Sequence, residues 1–268
     1  MKKYYRIMLG AKSAHADECF KGNFIGTDFG ILLDLTKELT ENWRDFNHKF
    51  IPVYLEKWPS KTKIAAGLAC GALWTVSKGI NSGEIILCAN GRGGYYVGEV
   101  IGTYYYQPDE ILFHRRNVKW YPNVIERTAM SEDLRNSCGT PGTVRDITRF
   151  SEEIEKLIGG TIPSTITTID SSIEDPTVFA LEKHLEDFLV KNWKQTELGK
   201  KYDIFEEDGE LVGQQYQSDT GPIDILAISK DKKELLVVEL KRGRVSDTVV
   251  GQIQRYMGYV LEELAEPN

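Results

Sequence analysis

Asp224, Glu239 and Lys241 have the residue types and spacing for metal-assisted phosphate chemistry. Asp224 interrupts an apolar run, Ile223 to Ser229, whose alternation reads as a strand. Glu239 and Lys241 close the next run, Glu234 to Leu240, in Val237-Val238-Glu239-Leu240-Lys241. Side chains alternate along a strand, so Glu239 and Lys241 share a face. If the two strands pair through the polar turn at 230–233, Asp224 comes near Glu239, and two carboxylates and an amine face one spot. Hard cations take oxygen ligands, so Asp224, Glu239 and the Leu240 carbonyl could hold Mg²⁺, with Mn²⁺ as a substitute. Such an ion polarises a phosphoryl oxygen. Lys241 would orient the attacking water and offset charge building on the phosphate.

The elements that must position this trio read clearly. Leu181, Leu185, Phe188 and Leu189 recur at helical spacing and predict a helix over 176–192, which carries Glu182 as a further carboxylate. Residues 202–206 and 211–217 predict a hairpin about the Asp208-Gly209 turn. Ser246-Asp247 caps a last helix, with Val249, Ile253, Met257, Val260 and Leu264 as its core stripe. Gln252 and Tyr256, four apart on the opposite face, could reach the same spot.

These residues carry a resemblance. Gly221-Pro222-Ile223-Asp224-Ile225-Leu226, Val238-Glu239-Leu240-Lys241-Arg242 and Gly251-Gln252-Ile253-Gln254-Arg255-Tyr256 stand in the order seen in PD-(D/E)XK nucleases. The flavour is that of NucS-like and restriction endonucleases. The resemblance covers about 176–266 and implies an α/β restriction-endonuclease-like core, with Glu182, Asp224, Glu239, Lys241, Gln252 and Tyr256 as catalytic residues. The family core has one more strand after the Gln-x-x-x-Tyr helix, and this chain ends at Asn268, so the expected core lacks its last strand. An uncovered sheet edge would favour a homodimer. For an isolated Glu-x-Lys, a solvated surface pair is the ordinary reading. A charge inside an apolar strand is costly without a partner, and that favours a built site.

Composition divides the chain. Its 268 residues carry a net charge of −7, but residues 1–165 hold 21 Lys+Arg against 19 Asp+Glu, and residues 166–268 hold 12 against 21. Twenty of the 28 aromatics lie in the first 165 residues. We read two domains, 1–160 and 176–268, joined by a Ser/Thr-rich linker at 161–175. An acidic total argues against a protein that binds nucleic acid by bulk charge alone. The 41% apolar content suffices for a core, and no apolar run is long enough to span a membrane. The short apolar stretch behind the first charges is not a signal peptide, and four dispersed cysteines read as free thiols, so a cytoplasmic location is expected.

The first domain reads as short strands around one apolar helix at 61–74, with a hairpin formed by 83–88 and 95–101 and a strand at 118–121. Gly79-Ile80-Asn81-Ser82-Gly83-Glu84-Ile85-Ile86-Leu87, and Tyr96-Val97-Gly98-Glu99-Val100-Ile101-Gly102-Thr103-Tyr104 further on, resemble EVE and YTH domains of the PUA-like superfamily. The resemblance implies an α+β small barrel with helices. It also implies a reader that flips a modified base, expected to be a cytosine in double-stranded DNA, and stacks it between aromatics. Trp43, Trp74 and Trp120 are the expected cage, and Asp28 the acceptor for an amino edge. For any one of these aromatics, core packing is the plain reading.

Arg115 and Arg116, in the densest basic cluster, and Arg135 and Ser137, in a Gly-containing loop before a helical turn, are expected on the DNA backbone. The joint expectation is a modification-dependent endonuclease of restriction type. A non-catalytic reader, a NucS-like repair nuclease and an RNA-binding PUA-like protein are the alternatives.

Overall fold

The computed structural model describes residues 2–159, 185–206, 211–218, 221–241 and 247–265. The chain divides into two compact units, Met1–Thr165 and Ile166–Asn268. The expected linker at 161–175 and the first part of the helix expected over 176–192 lie outside the described residues, as do Glu182 and Ser246.

The first unit is built on a mixed sheet of seven strands. In chain order these are β1 (Tyr4–Ile7), β2 (Phe24–Thr27), β3 (Ile85–Ala89), β4 (Gly94–Tyr106), β5 (His114–Trp120), β6 (Ile125–Glu126) and β7 (Val144–Asp146). The order in space is β2-β5-β4-β3-β1-β7, with β6 on the free stretch of β4. Strands β1 and β3 run parallel, with Tyr4 opposite Ile85 and Ile7 opposite Cys88. The expected hairpin is present as β3 and β4, which pair from Ile85↔Glu99 to Ala89↔Tyr95. No ladder between β2 and β7 closes this sheet into a barrel among the described residues.

Alternation distributes the core. Tyr5, Ile7, Ile86, Cys88 and Tyr96 pack on one face, and Tyr4, Ile85, Leu87, Tyr95 and Val97 on the other. Both faces are therefore covered. On the first lie α1 (Ala16–Gly22) and the residues that follow the apolar helix. On the second lie α4 (Glu132–Gly139) and α5 (Ser151–Ile158). A third cluster joins α2 (Trp43–Lys57) to α3 (Lys63–Trp74) through Phe46, Phe50, Ala66, Ala69 and Leu73. Thr62 caps α3 by accepting from the Ala65 N–H, and the small residues Ala65, Ala66, Gly67, Ala69 and Cys70 let α2 approach closely. All four cysteines are buried and free. Burial pushes the Cys138 thiol up to about 11 and the Cys19 and Cys70 thiols to about 12, so they stay protonated.

His114 ties the loop before α2 to the sheet. Its Nε2 lies 2.8 Å from the Ile31 carbonyl and its Nδ1 lies 2.9 Å from the Tyr104 hydroxyl, which in turn accepts from the Leu35 N–H. The partners fix the tautomer: Nε2 donates, and Nδ1 accepts from Tyr104. Burial pulls the imidazole down to about 4, so the ring is neutral in this bridge.

The second unit centres on β10 (Gly221–Ser229). On one side it pairs antiparallel with β11 (Leu235–Val238), through the Ser229–Glu234 turn. Its other side takes two strands in succession: β9 (Gln214–Ser218) along its first half and β8 (Tyr202–Ile204) along its second. The hairpin expected from 202–217 is therefore replaced by two strands on one edge of β10. Gly213 makes this possible, because a Cβ there would lie 2.2 Å from the Leu226 carbonyl oxygen. Helix α6 (185–191), α7 (Glu197–Lys201) and α8 (Asp247–Tyr259) accompany the sheet. Helix α8 continues through Val260–Leu264 and buries Tyr256, Tyr259, Val260 and Leu264, while Met257 is 57% exposed. Of the expected stripe, Val260 and Leu264 are buried and Val249 and Ile253 half-buried, while Met257 is exposed and Tyr256 and Tyr259 are buried instead.

Candidate active site

The β10–β11 register pairs Ile225 with Val238 and Leu226 with Val237. One step further the same register sets Asp224 opposite Glu239. Directly opposed residues of antiparallel strands share a face and are near neighbours. The Leu240 N–H donates to Asp224 Oδ2 at 2.7 Å, which fixes the carboxylate just past the end of β11. Lys241 returns to the same face two residues on, with its Nζ 3.6 Å from Glu239 Oε1. The Glu239 side chain is 2% exposed and that of Lys241 24% exposed, so the lysine is the more accessible of the pair.

The last helix supplies the remaining members. Gln252 Nε2 donates to the Tyr256 hydroxyl at 2.9 Å. Burial raises the Tyr256 phenol above its ordinary value, against the Gln252 bond and Lys241, which lower it, and with Glu239 and Asp224, which raise it further. Tyr256 thus stays a neutral donor within electrostatic reach of all three β10–β11 residues. Gly221, with φ +129, makes room at the start of β10: a Cβ there would stand 3.2 Å from the Tyr256 hydroxyl. Of the six expected catalytic residues, the structure brings Asp224, Glu239, Lys241, Gln252 and Tyr256 together. The sixth, Glu182, lies outside the described residues.

Two residues at this site escaped the sequence reading. Glu186, on α6, is 4% exposed and accepts from the side-chain amides of both Gln214 (2.8 Å) and Gln215 (2.5 Å). Gln215 also donates to Asp224 Oδ1 at 3.1 Å, so one amide joins a helical carboxylate to the strand carboxylate. A helical carboxylate one turn after Glu182 is the only sequence signal for Glu186.

The donor set fits a hard divalent cation. Asp224 and Glu239 offer oxygen, and Mg²⁺ characteristically takes one or two carboxylates and keeps places for water and substrate phosphate. No group of three or more His, Cys, Asp and Glu suited to a metal occurs among the described residues. The Leu240 N–H, at least, is committed to Asp224.

Of the residues expected to read a base, Trp74 and Trp120 pack in different clusters. Trp74 packs in the α2–α3 cluster with its Nε1 donating to the Thr40 carbonyl. Trp120 packs instead beside Phe20 and Tyr96, at centroid distances of 5.6 and 6.2 Å, with its Nε1 directed to the Cys19 carbonyl. Trp43 begins α2 and is half-buried, as is Asp28, whose carbonyl accepts from the Ile31 N–H.

Two backbone-contact expectations need correction. Arg115 and Arg116 are each 5% exposed. Arg115 bonds to Glu110 and to the Ile111 and Leu112 carbonyls, and Arg116 bonds to the Ser77, Ile80 and Gly102 carbonyls. Both guanidinium groups tie the sheet to its loops instead of facing a phosphate. Arg135 and Ser137 lie in α4 and not in a loop, and Ser137, 7% exposed, accepts from Arg149.

Comparison with known proteins bears on each unit. Residues 182–267 match the family described as Endonuclease NucS C-terminal domain, so the second unit is a nuclease-like domain of PD-(D/E)XK type. Residues 5–148 match a family described as Domain of unknown function (DUF8426). No curated protein matches the chain. No helix among the described residues is long and apolar enough to cross a membrane. Because the longer match spans more than half of the 268 residues, the chain belongs to the DUF8426 family, here joined to a NucS-type endonuclease domain.

Proposed function

We propose that this protein is a Mg²⁺-dependent DNA endonuclease in which the second unit hydrolyses a phosphodiester and the first selects where. The observation that carries the reading is the set Asp224, Glu239 and Lys241 on adjacent strands, with the Gln252–Tyr256 pair beside it, in a domain matching an endonuclease family. Asp224 and Glu239 would hold the cation, which when bound supplies Lewis acidity to the phosphoryl oxygen. Lys241 presents its ammonium to the attacking water and to the charge that grows on the phosphate. Tyr256, neutral and bonded to Gln252, offers a donor to a phosphate oxygen without adding negative charge. A single site breaks one strand, so cutting a duplex through requires two copies or two encounters.

The finer reading is that the first unit admits a flipped, modified cytosine. Its support is the resemblance to EVE and YTH domains and the density of aromatic side chains in that unit. The match to the NucS family favours a second reading, a repair nuclease directed to damaged or mispaired DNA. One panel separates them. The full chain is incubated with Mg²⁺ and with unmodified, methylated and hydroxymethylated plasmids, and with duplexes bearing mismatches or branches. Cleavage confined to the modified plasmids supports the finer reading, and cleavage confined to mismatched or branched duplexes supports the second. Binding without cleavage of any substrate contradicts both.

A further inference from the structure

Gln215 is the one non-glycine residue within a strand, among the described residues, that takes a left-handed backbone, with φ 51. Outliers of this kind persist where the surroundings over-determine them, and they concentrate at functional sites. The β9–β10 register explains what this one achieves. Ile223 pairs with Tyr216 and Ile225 with Gln214, which leaves Gln215 opposite Asp224. Asp224 on the central strand therefore has Glu239 across one edge and Gln215 across the other. The Gln215 amide spends its two hydrogens on two different carboxylates: Glu186 Oε2 at 2.5 Å and Asp224 Oδ1 at 3.1 Å. Gln214 holds the other oxygen of Glu186 at 2.8 Å. The Leu240 N–H holds the other oxygen of Asp224.

We infer that Gln215 is a positioning residue for cation binding: its amide, aimed by the left-handed backbone, fixes the Asp224 carboxylate and links it to the buried Glu186 before any cation arrives. The inference rests on the proposed nuclease reading, because it concerns the same carboxylates. The chemistry is that of an outer partner which orients a ligating carboxylate and is not itself a ligand. An amide suits the place. A carboxylate there would set three anions together, and a lysine would compete with the cation for Asp224. Glu186 anchors the amide from below, on α6, so the helix and the two strands converge on one hydrogen-bonded unit.

Glycine provides a discriminating variant. It adopts φ 51 without strain, so Gln215→Gly removes the amide while relieving the backbone. The full-length protein and the variant are titrated with Mn²⁺ in the absence of DNA, with free Mn²⁺ followed by electron paramagnetic resonance, and their thermal unfolding is compared without metal. The expected result is a variant that still folds, with an unfolding midpoint lowered because Glu186 and Asp224 each lose a donor, together with Mn²⁺ affinity weaker by about 10- to 100-fold. Gln215→Asn keeps an amide, one methylene shorter, on a residue that tolerates a left-handed backbone. It should recover part of the affinity, and it decides the matter if the glycine variant does not fold. Mn²⁺ binding by Gln215→Gly equal to wild type would overturn the inference while leaving a wild-type nuclease intact. An asparagine variant that folds but binds no better than the glycine variant, or no better than about a hundredth of wild type if the glycine variant is lost, would also overturn it. A wild-type protein that binds no Mn²⁺ would overturn the nuclease reading and this inference together.

Discussion

The Leu240 N–H donates to Asp224 Oδ2 across 2.7 Å, and the acidic residue of β10 is thereby anchored to the segment that carries Glu239 and Lys241. Asp224 accepts on both oxygens, since Gln215 donates to Oδ1. A carboxamide cannot do the same, because it offers one acceptor and one donor. Asp224→Asn should fold with a loss of about 1–3 kcal/mol from the mismatched donor. Its DNA cleavage should fall by at least about 100-fold, since a carboxylate that would hold the cation is lost, and with it the cation's polarisation of the phosphoryl oxygen. Circular dichroism melts and a single-turnover cleavage assay check the two halves; cleavage within threefold of wild type would contradict the role.

Lys241 can be tested apart from the carboxylates. Methionine keeps the length of the stem and removes the charge. Lys241→Met should retain Mn²⁺ binding and lower the single-turnover cleavage rate by about 100- to 1,000-fold at saturating DNA. An effect confined to DNA affinity, with the saturated rate unchanged, would make Lys241 a tether and not part of the chemistry.

The two buried arginines lead to an opposite expectation. Arg116→Ala would strip a donor from the Ser77, Ile80 and Gly102 carbonyls and should destabilise the first unit by about 3 kcal/mol or more. Chemical denaturation of the full chain measures it. A stable Arg116→Ala protein with selectively weakened DNA binding would restore the phosphate-contact reading.

His114 makes stability depend on pH. Its folded value, about 4, lies below the ordinary 6.5 of an unfolded histidine, so the unfolded chain binds the extra proton first. Its contribution is fully present above pH 6.5 and is lost as the pH falls toward 4. The loss amounts to on the order of 3 kcal/mol. Unfolding midpoints at pH 7.0, 6.0 and 5.0 should fall in that order, and His114→Gln should show a shallower slope from a lower starting stability. A parallel slope in the variant would assign the pH dependence to other groups.

The β10–β11 half of the site was legible because strand alternation and a polar turn are local signals. Together they fix which side chains of two successive strands share a face, and so Asp224, Glu239 and Lys241 could be grouped from their spacing. The β9 side was not legible. Gln215 acts through a left-handed backbone and a bond to Glu186, 29 residues away, and neither leaves a mark in the pattern of residue types. His114-Arg115-Arg116 misled for a related reason. Basic density along the chain does not report burial, and strand β5 turns all three inward to satisfy carbonyls. On α8 both Met257 and Tyr256 fit an apolar stripe, and packing buries the tyrosine.

The most direct measurement is cleavage of plasmid DNA by the full chain and by Glu239→Gln, each with Mg²⁺ and with a chelator. The wild-type protein with Mg²⁺ should give nicked or linear products on at least one of the modified, mismatched or branched substrates and none with the chelator, and Glu239→Gln should give none. Cleavage by Glu239→Gln at the wild-type rate, or wild-type cleavage that persists in the chelator, would contradict the proposed nuclease reading.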